Sequence, residues 1–173
     1  SVSAPAYETA GLALDLKFPT RTYVGLQAEF LRSEVDRELG GFGFSGALPV
    51  TPSSTPEQLN YSEPSVAMTL NQLLSDEWSV GALYRFTRSQ LDTQYPEIPA
   101  ANRSEEADLH QARLFLLWNH ASGLFARAES LWYHQENRGY TPALPGDDFF
   151  QHNLYVGYRL KRQRAEISLG VLN

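Results

Sequence analysis

The residues best suited to chemistry are a glycine-rich hexapeptide, four histidines, an acidic pair and a set of charged residues at alternating positions. Gly41-Phe42-Gly43-Phe44-Ser45-Gly46 matches the fingerprint that cradles a dinucleotide pyrophosphate, letter for letter. That chemistry needs a helix directly after the glycines, because its N-terminal N–H groups hold the phosphates. Ala47-Leu48-Pro49-Val50-Thr51-Pro52 follows and cannot open such a helix, so the expectation is a solvent-exposed loop. His110, His120, His134 and His152 lie in separate segments without ligand spacing, and no metal centre is expected from them. Asp147-Asp148 reads as a solvated loop pair rather than a cation site. Asn60-Tyr61-Ser62 and Asn102-Arg103-Ser104 match a glycosylation pattern too short to weigh against chance. Neither a Ser–His–acid set nor two carboxylates isolated in a cleft can be picked out, so the chain is not expected to be an enzyme and no cofactor is implied.

The remaining charged set is Glu29, Arg85, Arg113, Arg127, Glu129, Arg159 and Glu166. Each falls on the polar side of a segment that alternates with period two. On one wall of a barrel such residues form a cross-strand lattice that satisfies their charge, or they line a ligand route; the lattice is the simpler reading.

Alternation is clearest from Trp78 to Phe86, where Trp78, Val80, Ala82, Tyr84 and Phe86 oppose Ser79, Gly81, Leu83 and Arg85. Val24, Leu26, Ala28 and Phe30 repeat the pattern, as do Val66, Met68 and Leu70; Leu154, Val156, Tyr158 and Leu160; and Ala165, Ile167, Leu169 and Val171. Weaker strands are read at Leu12 to Lys17, Leu109 to Trp118 and Leu124 to His134. Gln27 to Leu39 also admits a helical drawing, with Leu31, Val35 and Leu39 four apart.

Connections between the eight strands alternate short and long. The short ones are Phe18 to Arg21, Ser75 to Glu77, Asn119 to Gly123 and Lys161 to Gln163. The long ones, Arg37 to Asn60, Asp92 to Ala107 and Glu136 to Asp148, are polar and rich in Pro or Gly. Outer-membrane barrels have this asymmetry, with tight periplasmic turns and extended extracellular loops. Trp78 and Trp118 fall beside short turns, and Trp132 and Phe150 near the long-loop ends, as aromatic girdles would.

Composition fits this reading. No run of about 18 apolar residues exists, so the membrane is reached by strands or not at all. Mean hydropathy is −0.36, a value an alternating barrel shares with a soluble domain. Nine Tyr, nine Phe and three Trp suit interfacial belts, and the absence of Cys removes disulfides and thiolate sites. A net charge of −6 argues against nucleic acid as a partner.

The expected fold is therefore all-β, an antiparallel meander of about eight strands forming part of an outer-membrane β-barrel, with residues 1–173 as a partial barrel domain of a larger chain. Short first and last connections would leave both ends at the extracellular rim, whereas complete barrels end in the periplasm and close on an aromatic residue. Ser1-Val2-Ser3-Ala4-Pro5 lacks the basic segment and apolar core of a signal peptide.

Asn153-Leu154-Tyr155-Val156-Gly157-Tyr158-Arg159-Leu160, a basic turn, and Ala165-Glu166-Ile167-Ser168-Leu169-Gly170-Val171-Leu172-Asn173 resemble the late strands of TonB-dependent outer-membrane receptors. The resemblance implies a barrel of about 22 strands with a plug. It also implies outer-membrane lipid around the barrel, a small ligand of the siderophore, vitamin or saccharide class, and an energy-transducing inner-membrane partner. The plug, TonB box and closing strand of that family are not found in these residues. The alternatives are a passive porin or export channel and a soluble β-barrel binding module.

Overall fold

A computed structural model describes residues 5–45, 48–160 and 165–173. Eight strands follow one another: β1 Ala6–Phe18, β2 Thr22–Ser45, β3 Leu48–Leu73, β4 Trp78–Gln94, β5 Arg103–Asn119, β6 Leu124–Arg138, β7 Asp147–Arg159 and β8 Glu166–Leu172. They form a single antiparallel sheet in the order β1 to β8, each strand bonded only to its neighbours in the chain, so the outer edges of β1 and β8 are unpaired in the described sheet. The all-β meander expected from alternation is the fold observed. The helical drawing of Gln27 to Leu39 is not, since that stretch is continuous β2.

Register decides which residues share a face. Leu16 lies opposite Val24, Val24 opposite Leu70, Leu70 opposite Ala82, Ala82 opposite Leu114 and Leu114 opposite Ser130. Even-numbered residues of β1 to β7 thus line up across the sheet, joined on β8 by odd-numbered Ile167, Leu169 and Val171 through Tyr158, Val156 and Leu154. Successive side chains point to opposite faces, so one face is lined almost wholly by apolar residues through its middle, while the other mixes Ser, Thr, Asn, Gln, Arg and Glu with rings such as Phe115, Phe125 and Tyr155 and leucines such as Leu83 and Leu131.

Three of the turns at one end are tight. Arg21 adopts φ 60 and donates its N–H to the carbonyl of Phe18, and Gly123 adopts φ 102 between His120 and Leu124. Ser75 Oγ accepts from the N–H groups of Glu77 and Trp78. The expected turn Lys161 to Gln163 lies outside the described residues.

At the opposite end one expectation is corrected. Arg37 to Asn60 is not a loop: β2 and β3 stay paired from Thr22 opposite Gln72 up to Ser45 opposite Leu48, with one irregularity at Gly43 and Phe44. At about 3.4 Å per residue the 24 residues of β2 reach about 80 Å. β1 accompanies β2 only to Glu34 and β4 accompanies β3 only to Gln58, so the far part is a two-stranded ribbon. Proline is tolerated there because a strand with one open edge does not need every N–H. Pro56 sits beyond the last β4 partner, and Pro64 falls where the β3–β4 pairing skips from Ser62 to Ser65. The other two long connections shorten to residues 95–102, with a 3-10 turn at Pro99–Ala101, and residues 139–146.

Candidate functional site

Exposure runs opposite to that of a water-soluble sheet. Along β7, Phe150, His152, Leu154, Val156 and Tyr158 are exposed, while the intervening Gln151, Asn153, Tyr155, Gly157 and Arg159 are partly covered. Leu154 and Val156 are each 52% exposed, and Leu12 and Leu169 reach 81%. Phe125 is the one buried hydrophobic residue among those described, and it lies on the polar face. Two recesses on the apolar side, of about 600 and 710 Å³, are lined mainly by aliphatic side chains such as Leu14, Leu26 and Met68, and Leu114, Leu116 and Leu154.

The apolar face is bounded at both ends by rings whose polar tips reach past it. Trp78 and Trp118 sit together, 6.1 Å between centroids, beside the tight turns, and Trp118 Nε1 donates to Glu77 at 3.3 Å. At the other end Trp132 stacks on His134 and lies 6.4 Å from Phe150, and its Nε1 donates to Asp148 Oδ1 at 2.9 Å. Tyr84 Oη and His110 Nδ1 share a hydrogen bond of 2.7 Å. Beyond these rings, on the same face, Arg88 makes a bidentate pair with Asp108 at 2.6 and 2.9 Å, and Arg138 reaches Asp108 at 3.2 Å and Glu136 at 3.0 Å. Asp147-Asp148, expected in a loop, instead opens β7, with Asp148 also 3.3 Å from His134.

All seven charged candidates lie on the opposite, polar face, but they do not form one continuous lattice. Glu129, with 8% of its side chain exposed, is shared by two arginines: Arg127 donates to Oε2 at 2.8 Å, and Arg113 makes an ion-pair contact with Oε1 without the alignment of a hydrogen bond. Arg159 bonds Glu166 at 2.8 Å and Asn119 at 2.7 Å. Glu29 accepts from Gln27 at 2.6 Å. Arg85 stands between Ala67 and Gln111 without an ion pair or hydrogen bond among the described residues.

Glycines make room for the large rings on this face. Gly81 faces Phe115, Gly157 faces Phe125 and Gly170 faces Tyr155 in register, and a Cβ on either Gly81 or Gly157 would intrude on its partner's ring. The rings in turn carry the arginines: Arg113 lies over Phe115, Arg127 over Tyr155, and Arg159 over Phe125 at 4.3 Å.

The glycine-rich hexapeptide places Gly41 to Ser45 in the β2 ribbon, where no helix follows; Gly46 lies outside the described residues. The sequence reading missed the ion pair beside it. Arg37 and Glu57 face each other across the ribbon and are hydrogen-bonded, and Tyr95 Oη donates to Glu57 at 2.7 Å. Arg37 holds the Glu57 carboxyl below its ordinary range, with Tyr95 assisting and burial working the other way. Only the register between β2 and β3 could have revealed it, because Arg37 and Glu57 both fall in the stretch whose composition reads as a loop.

No protein family, no curated protein and no solved structure matches this chain.

Proposed function

We propose that the chain is barrel wall of a bacterial outer-membrane transport protein of the TonB-dependent receptor type, with its apolar face against lipid and its polar face toward the lumen. The observation that carries this reading is the inverted exposure: aliphatic side chains from all eight strands form the open face, while Arg, Glu, Asn and Gln pack on the covered one. In water such a face would remain a large unburied apolar surface, which soluble monomers avoid. In lipid it is the solvated surface.

The dimensions support it. Trp78 and Phe86 bracket the apolar residues of β4, about 27 Å apart along the strand. With the roughly 40° tilt usual in such barrels this projects to about 21 Å, near the ~25 Å apolar band of the class. Aromatic rings with their polar tips directed beyond both ends suit the two membrane interfaces. The β2–β3 ribbon then projects from the long-connection side, the extracellular side in this architecture. Uptake of a scarce small ligand and coupling to an inner-membrane partner rest on the resemblance of the last two strands.

The test is single-cysteine labelling in phospholipid vesicles. Cysteine at Val80 or Val156 is expected to react with a lipid-phase probe, and cysteine at Ser79 or Asn153 with a water-phase probe only. Equal labelling of both faces, or a chain that is a stable monomer in water without detergent, overturns the reading.

A further inference from the structure

Where β4 leaves β3, at Gln94 opposite Gln58, the connection from β4 to β5 takes up the contact with the ribbon. Tyr95 Oη donates to Glu57 Oε1 at 2.7 Å, and Thr55 Oγ1 donates to Glu97 Oε2 at 3.2 Å. Glu57 gives its other oxygen to Arg37 of β2, so one carboxylate ties both ribbon strands to the connection. Burial is concentrated at this corner: Glu57 is 3% exposed and Thr93, two residues before Tyr95, is 9% exposed.

Parity places the contact. Arg37, Thr55 and Glu57 are odd-numbered and lie on the polar side of the ribbon, continuous with the face that carries Tyr61 and Glu63 lower on β3. The connection therefore rests against the polar side, at the end of the sheet from which the ribbon projects. It is folded firmly on itself: the N–H of Ile98 donates to the carbonyl of Tyr95 at 3.0 Å, that of Ala101 to Ile98 at 2.8 Å and that of Asn102 to Pro99 at 3.2 Å. Asn102 Oδ1 accepts from the Tyr95 N–H at 2.7 Å, and Pro96 and Pro99 restrict the backbone further. Below, Ser104 Oγ donates to Asp92 Oδ1 and closes the base of the hairpin. Against the ribbon the connection makes side-chain hydrogen bonds, with no backbone ladder among the described residues, since β3–β4 pairing ends at Gln58. A unit with a firm interior and a light outer contact separates at that contact first, while the strands stay paired.

We infer that the β4–β5 connection is a latch on the ribbon: Tyr95 and Glu97, engaging Glu57 and Thr55 from the polar side, hold the ribbon root over the lumen mouth, and release of these contacts lets the ribbon swing away and opens the polar face near Thr93 to solutes. The inference rests on the lumen assignment above and adds a gate to it. The ribbon is suited to be the moving part, because beyond Gln58 it has no β4 beside it. A small change of angle at its root is amplified at its tip, about 34 Å away along the strand from Val35 to Ser45.

The chain has no cysteine, so labels can be placed singly or in pairs. Spin labels at Ser53→Cys in the ribbon and Ala100→Cys in the connection, both exposed positions, report their separation by double electron–electron resonance on the full chain in phospholipid vesicles. The parent should give a single narrow distance, and Tyr95→Phe with Thr55→Ala should add a longer, broader population. In the same background the reaction of Thr93→Cys with a water-soluble maleimide should rise about fivefold or more, the shift expected from one lost hydrogen bond, while Ser79→Cys at the far end of the same strand should hardly change. Tyr95→Phe alone keeps the ring and the Thr55 contact, and should give a smaller share of both effects. An unchanged distance distribution in the double variant overturns the latch, as does a rise at Thr93 matched by an equal rise at Ser79, which would mean general loosening. A longer distance without a rise at Thr93 overturns the gate. If the distances do not change while Val80 and Ser79 still label from opposite phases, the latch fails and the barrel reading stands. If Val80 and Ser79 label alike, the barrel reading fails and the gate fails with it.

Discussion

Placing arginine on the apolar face tests the membrane reading with opposite signs for the two environments. Leu114 is 59% exposed and sits opposite Ala82 and Ser130, midway between Trp118 and His110 on β5. If this face meets lipid, Leu114 is near the bilayer midplane, where arginine costs about 2–4 kcal/mol. That corresponds to a fall of roughly 30-fold to nearly 1000-fold in the folding equilibrium. Leu124 is 44% exposed on the same face but borders the tight turn at His120 to Gly123, where the cost of arginine falls to about 0–1 kcal/mol. If the face meets water, replacing an exposed leucine by arginine changes stability by no more than about 0.5 kcal/mol at either position. The assay is reversible urea unfolding of the full chain in phospholipid vesicles, followed by the fluorescence of Trp78, Trp118 and Trp132. Leu114→Arg should lower the unfolding free energy by at least 1 kcal/mol more than Leu124→Arg. Equal effects, or a Leu114→Arg variant as stable as the parent, would refute the lipid assignment of this face.

Two further outcomes follow from the polar face and the ribbon. Gly81→Ala should cost about 1–3 kcal/mol, because its Cβ has no room beside Phe115, and adding Phe115→Leu should recover at least 0.5 kcal/mol of that loss in a double-mutant cycle. Strictly additive effects would show that the ring does not depend on the glycine. In the ribbon, the folded-state pKa of Glu57 is depressed, so its contribution to pairing is fully present above the ordinary value near 4.5 and is lost as pH falls through the lower folded value. Amide exchange along Val35 to Gly40 should therefore accelerate on acidification below about pH 4.5, and more steeply in the parent than in Glu57→Gln. Identical pH profiles would remove Glu57 as the cause, leaving Asp36 and Glu38 on the same ribbon to account for the slope.

The strands nearest the apolar face were legible because a pleated strand with one greasy side writes period two directly into the chain, as from Trp78 to Phe86 and from Leu154 to Leu160. The ribbon was not. Beyond the apolar face both sides of β2 and β3 are polar, the alternation disappears, and Thr51, Ser53, Ser54 and Pro56 have the composition of a loop although they are held as strand by backbone bonds to β2. Short-turn positions were readable from Asn, Ser and Gly clusters, with Gly123 at the positive φ the turn demands.

Sequence by itself determined the face of each charged candidate, because parity along a strand is a local property of the backbone. Tertiary structure alone decided the partners, because register is set between strands far apart in the chain. That is why Glu129 could be assigned to the polar side without its tie to Arg113 being visible, why Arg88 could not be matched with Asp108, and why Arg85 emerged without a partner only once its neighbours Ala67 and Gln111 were in place.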